Sequence, residues 1–173
     1  MMNDWFDEQL GRITMYRLVV HGLIAMALMA LFLMVTGNLA FSPLGFVATL
    51  GMFVAVSYGA NRLFGWLFGV TALGESALIT GLILAFLFSP AESPADFAKL
   101  ALVAVIAMAS KYVVAPRGKH IFNPAAIAAV IASISGLAFA GWWVATPAML
   151  PVTVIVGALV LHRTKKIRTA PLS

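Results

Sequence analysis

Cysteine is absent from the 173 residues, which removes disulfides, cysteine-ligated zinc and cysteine-ligated iron–sulfur clusters from the chemistry open to the chain. Charge is almost as scarce. Charged residues make up 10% of the chain, against roughly a quarter in an ordinary soluble domain, while hydrophobic residues make up 62%. So little polar surface cannot coat a globule, and the composition predicts an integral membrane protein of one domain. The three histidines, His21, His120 and His162, are far apart and have no carboxylate at ligand spacing, so no metal site is expected. Neither a G-x-x-x-x-G-K-[ST] run nor a G-x-G-x-x-G run occurs, and no nucleophile constellation appears, so no catalytic residue is assigned. The net charge of +5 does not point to nucleic acid, because the basic residues sit beside apolar runs, where they orient a membrane protein.

What the chain does have is a series of apolar runs. They predict an all-α fold, a polytopic membrane helix bundle of about six transmembrane segments, each needing about 20 residues to cross a bilayer. The expected spans are Tyr16–Thr36, Leu44–Ala60, Ser76–Phe88, Phe97–Val114, Pro124–Phe139 and Pro147–Leu161. The third has only 13 residues, about 20 Å of helix at roughly 1.5 Å per residue. It is either a half-helix or a span lengthened at its ends. Between the second and third spans, the mixed stretch from Asn61 to Glu75 carries Arg62, Phe64, Trp66 and Phe68 and reads as interfacial. Gly141, Trp142 and Trp143 mark a second interface. Residues 1–15 read as a cytoplasmic lead, 16–161 as the transmembrane bundle and 162–173 as a basic cytoplasmic tail. The lead is acidic and amphipathic (Asp4, Trp5, Phe6, Asp7, Glu8) where a signal peptide would be basic, so no cleavable signal is expected.

Six crossings divide the basic residues unequally. Arg12, Arg17, Arg62, Lys111, Arg117, Lys119, Arg163, Lys165, Lys166 and Arg168 fall on one side and Lys99 alone on the other, a split of ten to one. A re-entrant third segment would erase this bias. The positive-inside rule therefore favours six crossings with both termini in the cytoplasm.

Two segments place polar residues at helix ends in an otherwise apolar chain. One runs from Gly74-Glu75-Ser76 through Thr80 and Gly81. The other is Ser110-Lys111-Tyr112, followed by Lys119-His120 and Asn123-Pro124. Helix N-termini near Ser76 and Pro124 offer free N–H groups and a positive dipole end to an anionic or polar ligand, and short helices around a central site are a transporter device. The plainer reading is that Glu75, Ser76 and Asn123 only cap helices. Lys111 either snorkels to the interface or joins Arg117, Lys119 and His120 in a cationic rim for a phosphate or an acidic partner. His21, inside the first span, is either a hydrogen-bonded structural residue or a proton relay. The many small residues, Gly22, Gly51, Gly59 and Gly81 among them, suit close helix packing.

The run E-S-A-L-I-T-G-L-I-L-A-F, then S-P, then a span ending in S-K, then I-F-N-P-A, resembles one family of membrane subunits. It contains the D subunit of the Rnf electron-transport complex and the B subunit of the sodium-translocating NADH:quinone reductase. Those proteins carry similar D-x-S-A-L-x-T-G-L-L-L-A and K-x-x-x-G-G-x-G-x-N-x-F-N-P-A segments. The matching positions are Ser76, Ala77, Leu78, Thr80, Gly81, Lys111, Phe122, Asn123, Pro124 and Ala125, within a third of the chain from Glu75 to Ile131. The resemblance implies a flavin-linked electron-transfer subunit of a membrane oxidoreductase complex in the bacterial cytoplasmic membrane, coupled to ion translocation. Its bundle would be built like one repeat of an ammonium- or urea-channel-like arrangement. The chain resembles the first repeat plus one helix of proteins about twice as long. Pro116-Arg117-Gly118-Lys119-His120 replaces the glycine-rich loop. The threonine that accepts covalent FMN in the second repeat has no counterpart, since the nearest string, Ser135-Gly136-Leu137-Ala138, lacks it. The flavin implied is therefore noncovalent, FMN or riboflavin, with Ser76, Thr80, Gly81, Lys111, His120 and Asn123 as the candidate binding residues. The partners implied are the lipid bilayer, further copies or other membrane subunits, and a cytoplasmic flavoprotein reductase. The competing expectation is a half-size transporter or channel subunit that assembles as a homodimer without redox activity.

Overall fold

The computed structural model describes residues 15–113 and 123–169, with side chains as far as residue 162. Six helices occupy them: α1 Met15–Val35, α2 Pro43–Leu67, α3 Gly74–Leu87, α4 Pro94–Val113, α5 Pro124–Ile134 and α6 Leu150–Thr169. No strand occurs among the described residues. Helices α1 and α2 are long and apolar enough to cross a membrane; α3, α5 and Leu150–His162 of α6 are shorter apolar helices.

Three helices start at a proline preceded by a side chain that caps the free N–H groups. Proline suits the first turn because its φ is already helical and it has no N–H to satisfy. Ser42 Oγ accepts from Gly45 N at 3.3 Å before α2, and Asn123 Oδ1 accepts from Ala125 N at 3.0 Å before α5. Before α4, Ser93 and Asp96 cap each other: Asp96 N donates to Ser93 Oγ at 3.2 Å and Ser93 N donates to Asp96 Oδ2 at 3.1 Å. The Ser93 hydroxyl also donates to Asp96 Oδ2 at 2.7 Å. That bond, one residue before the expected fourth span, holds the Asp96 carboxyl below its usual value.

Of the helix ends that differ from expectation, two are set by glycines. The second helix passes Ala60 and runs to Leu67, so much of the stretch expected as interfacial is helical. The fifth stops at Ile134, not Phe139. Both endings follow from a glycine in the left-handed region, Gly69 at φ 63° and Gly136 at φ 69°. The residue after each glycine folds back on the last turn: Val70 N donates to Gly65 O at 2.9 Å, and Leu137 N donates to Ala132 O at 3.0 Å. This glycine-dependent cap satisfies the orphan carbonyls and ends the helix. The sixth helix begins at Leu150 and continues past Leu161 to Thr169.

The short third helix is the centre of the molecule, in contact with α1, α2, α4 and α5. A helix apolar on every side must be enclosed, and this one is. Its Ala77, Leu84 and Ala85 pack with Phe53, Val103, Met108 and Ala128 on one flank. On the other, Leu82 and Phe86 pack with Met26, Phe46, Val144 and Met149. Gly81 permits the approach of α2: a Cβ there would lie 3.0 Å from Phe53 O and Val54 Cα, both backbone atoms. At the far end, the segment between α5 and α6 closes the C-terminus of α3. Trp143 Nε1 lies 3.0 Å from Ala85 O and from Phe88 O, and Gly141 N donates to Leu87 O at 2.8 Å. These donors meet carbonyls that the end of a helix leaves without intrahelical partners. Trp143, expected at an interface, is thus docked onto the core, with its ring against Phe41, Phe46 and Phe86. Thr49 Oγ1 accepts from Ala91 N at 2.9 Å and pins the loop between α3 and α4.

Candidate functional site

The buried face of α2 carries Phe46, Thr49, Phe53, Ser57 and Asn61, spaced three or four residues apart as one side of a helix requires. Asn61 is fully buried at the end of this row. Its amide does three things at once. Nδ2 donates to Leu73 O, the residue that precedes α3, at 3.2 Å. Oδ1 accepts from Lys111 Nζ at 2.9 Å and lies 2.8 Å from the Tyr112 hydroxyl, which is also 2.9 Å from Asn61 O. The end of α4 and the start of α3 therefore meet through one side chain on α2.

Lys111 is only 8% exposed. Its hydrogen bond to Asn61 goes to a neutral amide. Among the described residues, the ion pairs are Arg17 with Glu75 at 3.2 Å and Lys99 with Asp96 at 3.9 Å, and neither includes Lys111. A buried charge without a counter-charge is costly, because the protein interior solvates it poorly. The cluster is rich in donors: the ammonium, the Tyr112 hydroxyl and the Asn61 amide share two carbonyls and one amide oxygen. Aromatic rings wall it. Tyr112 stacks on Phe68 at 5.7 Å between centroids and lies 5.9 Å from Phe64, and Lys111 Nζ is 5.8 Å from the Tyr112 ring centre. One turn before Asn61, the buried Ser57 hydroxyl has no hydrogen-bond partner.

The other expected site residues serve local ends. Thr80 is buried and donates to Ser76 O at 2.9 Å, back along its own helix. Ser76 is half-buried in the first turn of α3. Gly81 sets the contact with α2, and Asn123 caps α5. His120, with Arg117 and Lys119, lies outside the described residues. No side-chain hydrogen bond joins Ser76, Thr80 or Asn123 to Lys111. Asn61, which organises the cluster, is absent from the residues expected from the sequence. Its signal was there: Phe53, Ser57 and Asn61 recur every fourth residue, and the polar pair Asn61-Arg62 is what ended the second apolar run too early.

Elsewhere the described residues offer less. Among them, no group of three His, Asp or Glu side chains could hold a metal ion. His21 Nδ1 lies 2.6 Å from Arg17 O, one turn back on α1, so that nitrogen carries the proton and donates it. His21 also lines an apolar groove of about 260 Å³ between α1 and α6, with Gly22, Val152 and Val156. A mixed cleft of about 350 Å³ at the opposite end of α3 is bordered by Glu92, Asp96 and Lys99.

These features define a class: the described residues form six helices and no strand, two of them long and apolar enough to cross a membrane, with four packed against a short core helix that has a buried cation at its start. Comparison of the chain with family models, with curated proteins and with solved structures gives no match.

Proposed function

We propose that the chain is a multi-pass protein of the bacterial cytoplasmic membrane, with both termini in the cytoplasm, and that it serves as a flavin-linked electron-transfer subunit of an ion-translocating oxidoreductase complex. The membrane part of this reading rests on the outer surface. Leu28, Phe32, Val35, Ile134 and Leu161 stand exposed on α1, α5 and α6, where water would penalise them and lipid would not. The ten-to-one distribution of basic residues supports this orientation.

The redox part rests on one observation, the buried Lys111, which has no carboxylate partner among the described residues and is set among Asn61, Tyr112, Phe64 and Phe68. A flavin is planar, aromatic and anionic when reduced, and it would supply the electron carrier itself. The residues present fit such a group. Lys111 balances negative charge, Tyr112 and Asn61 offer polar contacts, and Phe64 and Phe68 offer flat apolar surface. A cytoplasmic flavoprotein reductase would deliver electrons on the basic face. The test is the absorption spectrum of protein purified in mild detergent with FMN or riboflavin supplied, repeated after acid precipitation. Flavin colour retained by the folded protein and released by acid is the expected result. A preparation that never retains flavin refutes the reading.

A second reading draws on the short core helix. At 14 residues, about 21 Å, α3 stops inside the bundle as the half-helices of transporters do. A homodimeric transporter would move solute in liposomes without any reductant, which the redox subunit would not.

A further inference from the structure

The unbalanced charge at the end of α4 has a consequence that does not depend on flavin. We infer that Lys111, the Tyr112 hydroxyl and the start of α3 form a binding site for a tetrahedral oxyanion, a phosphate monoester or phosphodiester. An ammonium has three N–H donors. One is used by Asn61 Oδ1, and that oxygen also takes the Tyr112 hydroxyl. The site thus holds more donors than acceptors and a whole positive charge more than its neighbours cancel. A cation 8% exposed has little water to make up the difference.

The second feature is α3 itself. Its preceding residue, Leu73, supplies no side-chain cap, and its carbonyl is held by Asn61. The Asn61 amide thus links the ammonium to the residue that precedes α3, and the ammonium and the positive end of the helix dipole both favour an anion. Glu75, in that first turn, is drawn off to Arg17 of α1 at 3.2 Å. Of the other described carboxylates, Glu92 and Asp96 border the cleft at the opposite end of α3, so none is bonded to Lys111. A phosphate brings several acceptor oxygens and meets the surplus of donors. The aromatic side chains Trp66 and Phe68, exposed at this end of α2, mark it as an interface where a lipid phosphodiester would sit. A soluble phosphate could reach the same place from the cytoplasm.

Two arms separate the sources. In the first, the protein in an uncharged detergent is unfolded thermally while inorganic phosphate replaces chloride at constant ionic strength. In the second, it is placed in nanodiscs of mixed phosphatidylglycerol and phosphatidylcholine, and the lipids retained are identified by native mass spectrometry. A midpoint that rises with phosphate assigns the site to soluble phosphate; selective retention of phosphatidylglycerol assigns it to lipid. Either effect should weaken about tenfold or more in Lys111→Met, and persist in Lys111→Arg and in Lys99→Met at the other end of α4. Without added phosphate, Lys111→Met should be as stable as the parent or more so, because it removes an unpaired buried charge while Tyr112 still serves Asn61. Equal ligand effects in parent and Lys111→Met overturn the inference. So does the absence of both effects in the parent, which needs no variant to fold. Flavin retention is read separately by absorbance, so a colourless protein that still responds to phosphate refutes the proposed function and leaves this site standing.

Discussion

Replacing Gly81 by alanine tests the central packing of the bundle. An alanine Cβ at this position meets Phe53 O and Val54 Cα at 3.0 Å and Phe53 C at 3.2 Å. Ordinary contacts lie near 3.5–4.0 Å, so α2 and α3 must separate by roughly half an ångström. Both obstacles are backbone, so no rotamer change relieves them. Overpacking of this kind costs about 1–3 kcal/mol. Against it stands the better helix propensity of alanine, about 1 kcal/mol. The net expectation is a loss of about 0–2 kcal/mol. Gly51 supplies the control, since it lies on α2 with nothing within 4 Å of the same virtual atom. There, alanine keeps the propensity gain and meets no obstacle. The two variants should therefore differ by about 1–3 kcal/mol, Gly51→Ala being the more stable. Thermal unfolding in detergent, followed by tryptophan emission, measures both against the parent. If Gly81→Ala matches or exceeds Gly51→Ala in stability, α2 and α3 do not pack as described.

Two further outcomes follow from the polar contacts. Trp143→Phe removes the indole N–H from Ala85 O and Phe88 O while keeping an aromatic ring against Phe41, Phe46 and Phe86; it should cost about 1–3 kcal/mol in the same unfolding assay, and a neutral result would mean other donors serve the end of α3. Asp96 is held below its usual value first by the Ser93 hydroxyl, so its contribution is present above the unfolded value, near 3.9, and is lost as pH falls through the lower folded value. In carbon-detected NMR of aspartate-labelled protein, Ser93→Ala should move the Asp96 midpoint upward, and an unchanged midpoint would contradict the capping pair.

Several helix boundaries could be read from local chemistry alone. Ser42-Pro43, Ser93-Pro94 and Asn123-Pro124 each place a capping side chain before a residue preset for the first turn, and each starts a helix. The shortness of the third helix was equally plain, because Ser89-Pro90 follows within a few residues of its end. Reading Asn61 and Arg62 as the end of a span failed because hydropathy averages over all sides of a helix. A buried asparagine on one side of α2 and an exposed arginine beside it lower the mean without stopping the helix. The glycines at 69 and 136, which do stop helices, carried the better signal.

The apolar runs pointed to a helical, apolar chain, and the Lys and Arg positions to the orientation expected in a bilayer; both are read along the chain and need no knowledge of contacts between distant residues. Only the tertiary structure decided that the short third helix is the core and that Trp143 closes its end. It also decided that Lys111 is buried against Asn61, 50 residues away. A lysine near the end of an apolar run can snorkel outward or turn inward, and its local sequence is the same in either case. The choice depends on whether a distant element presents an acceptor there, and α2 presents Asn61.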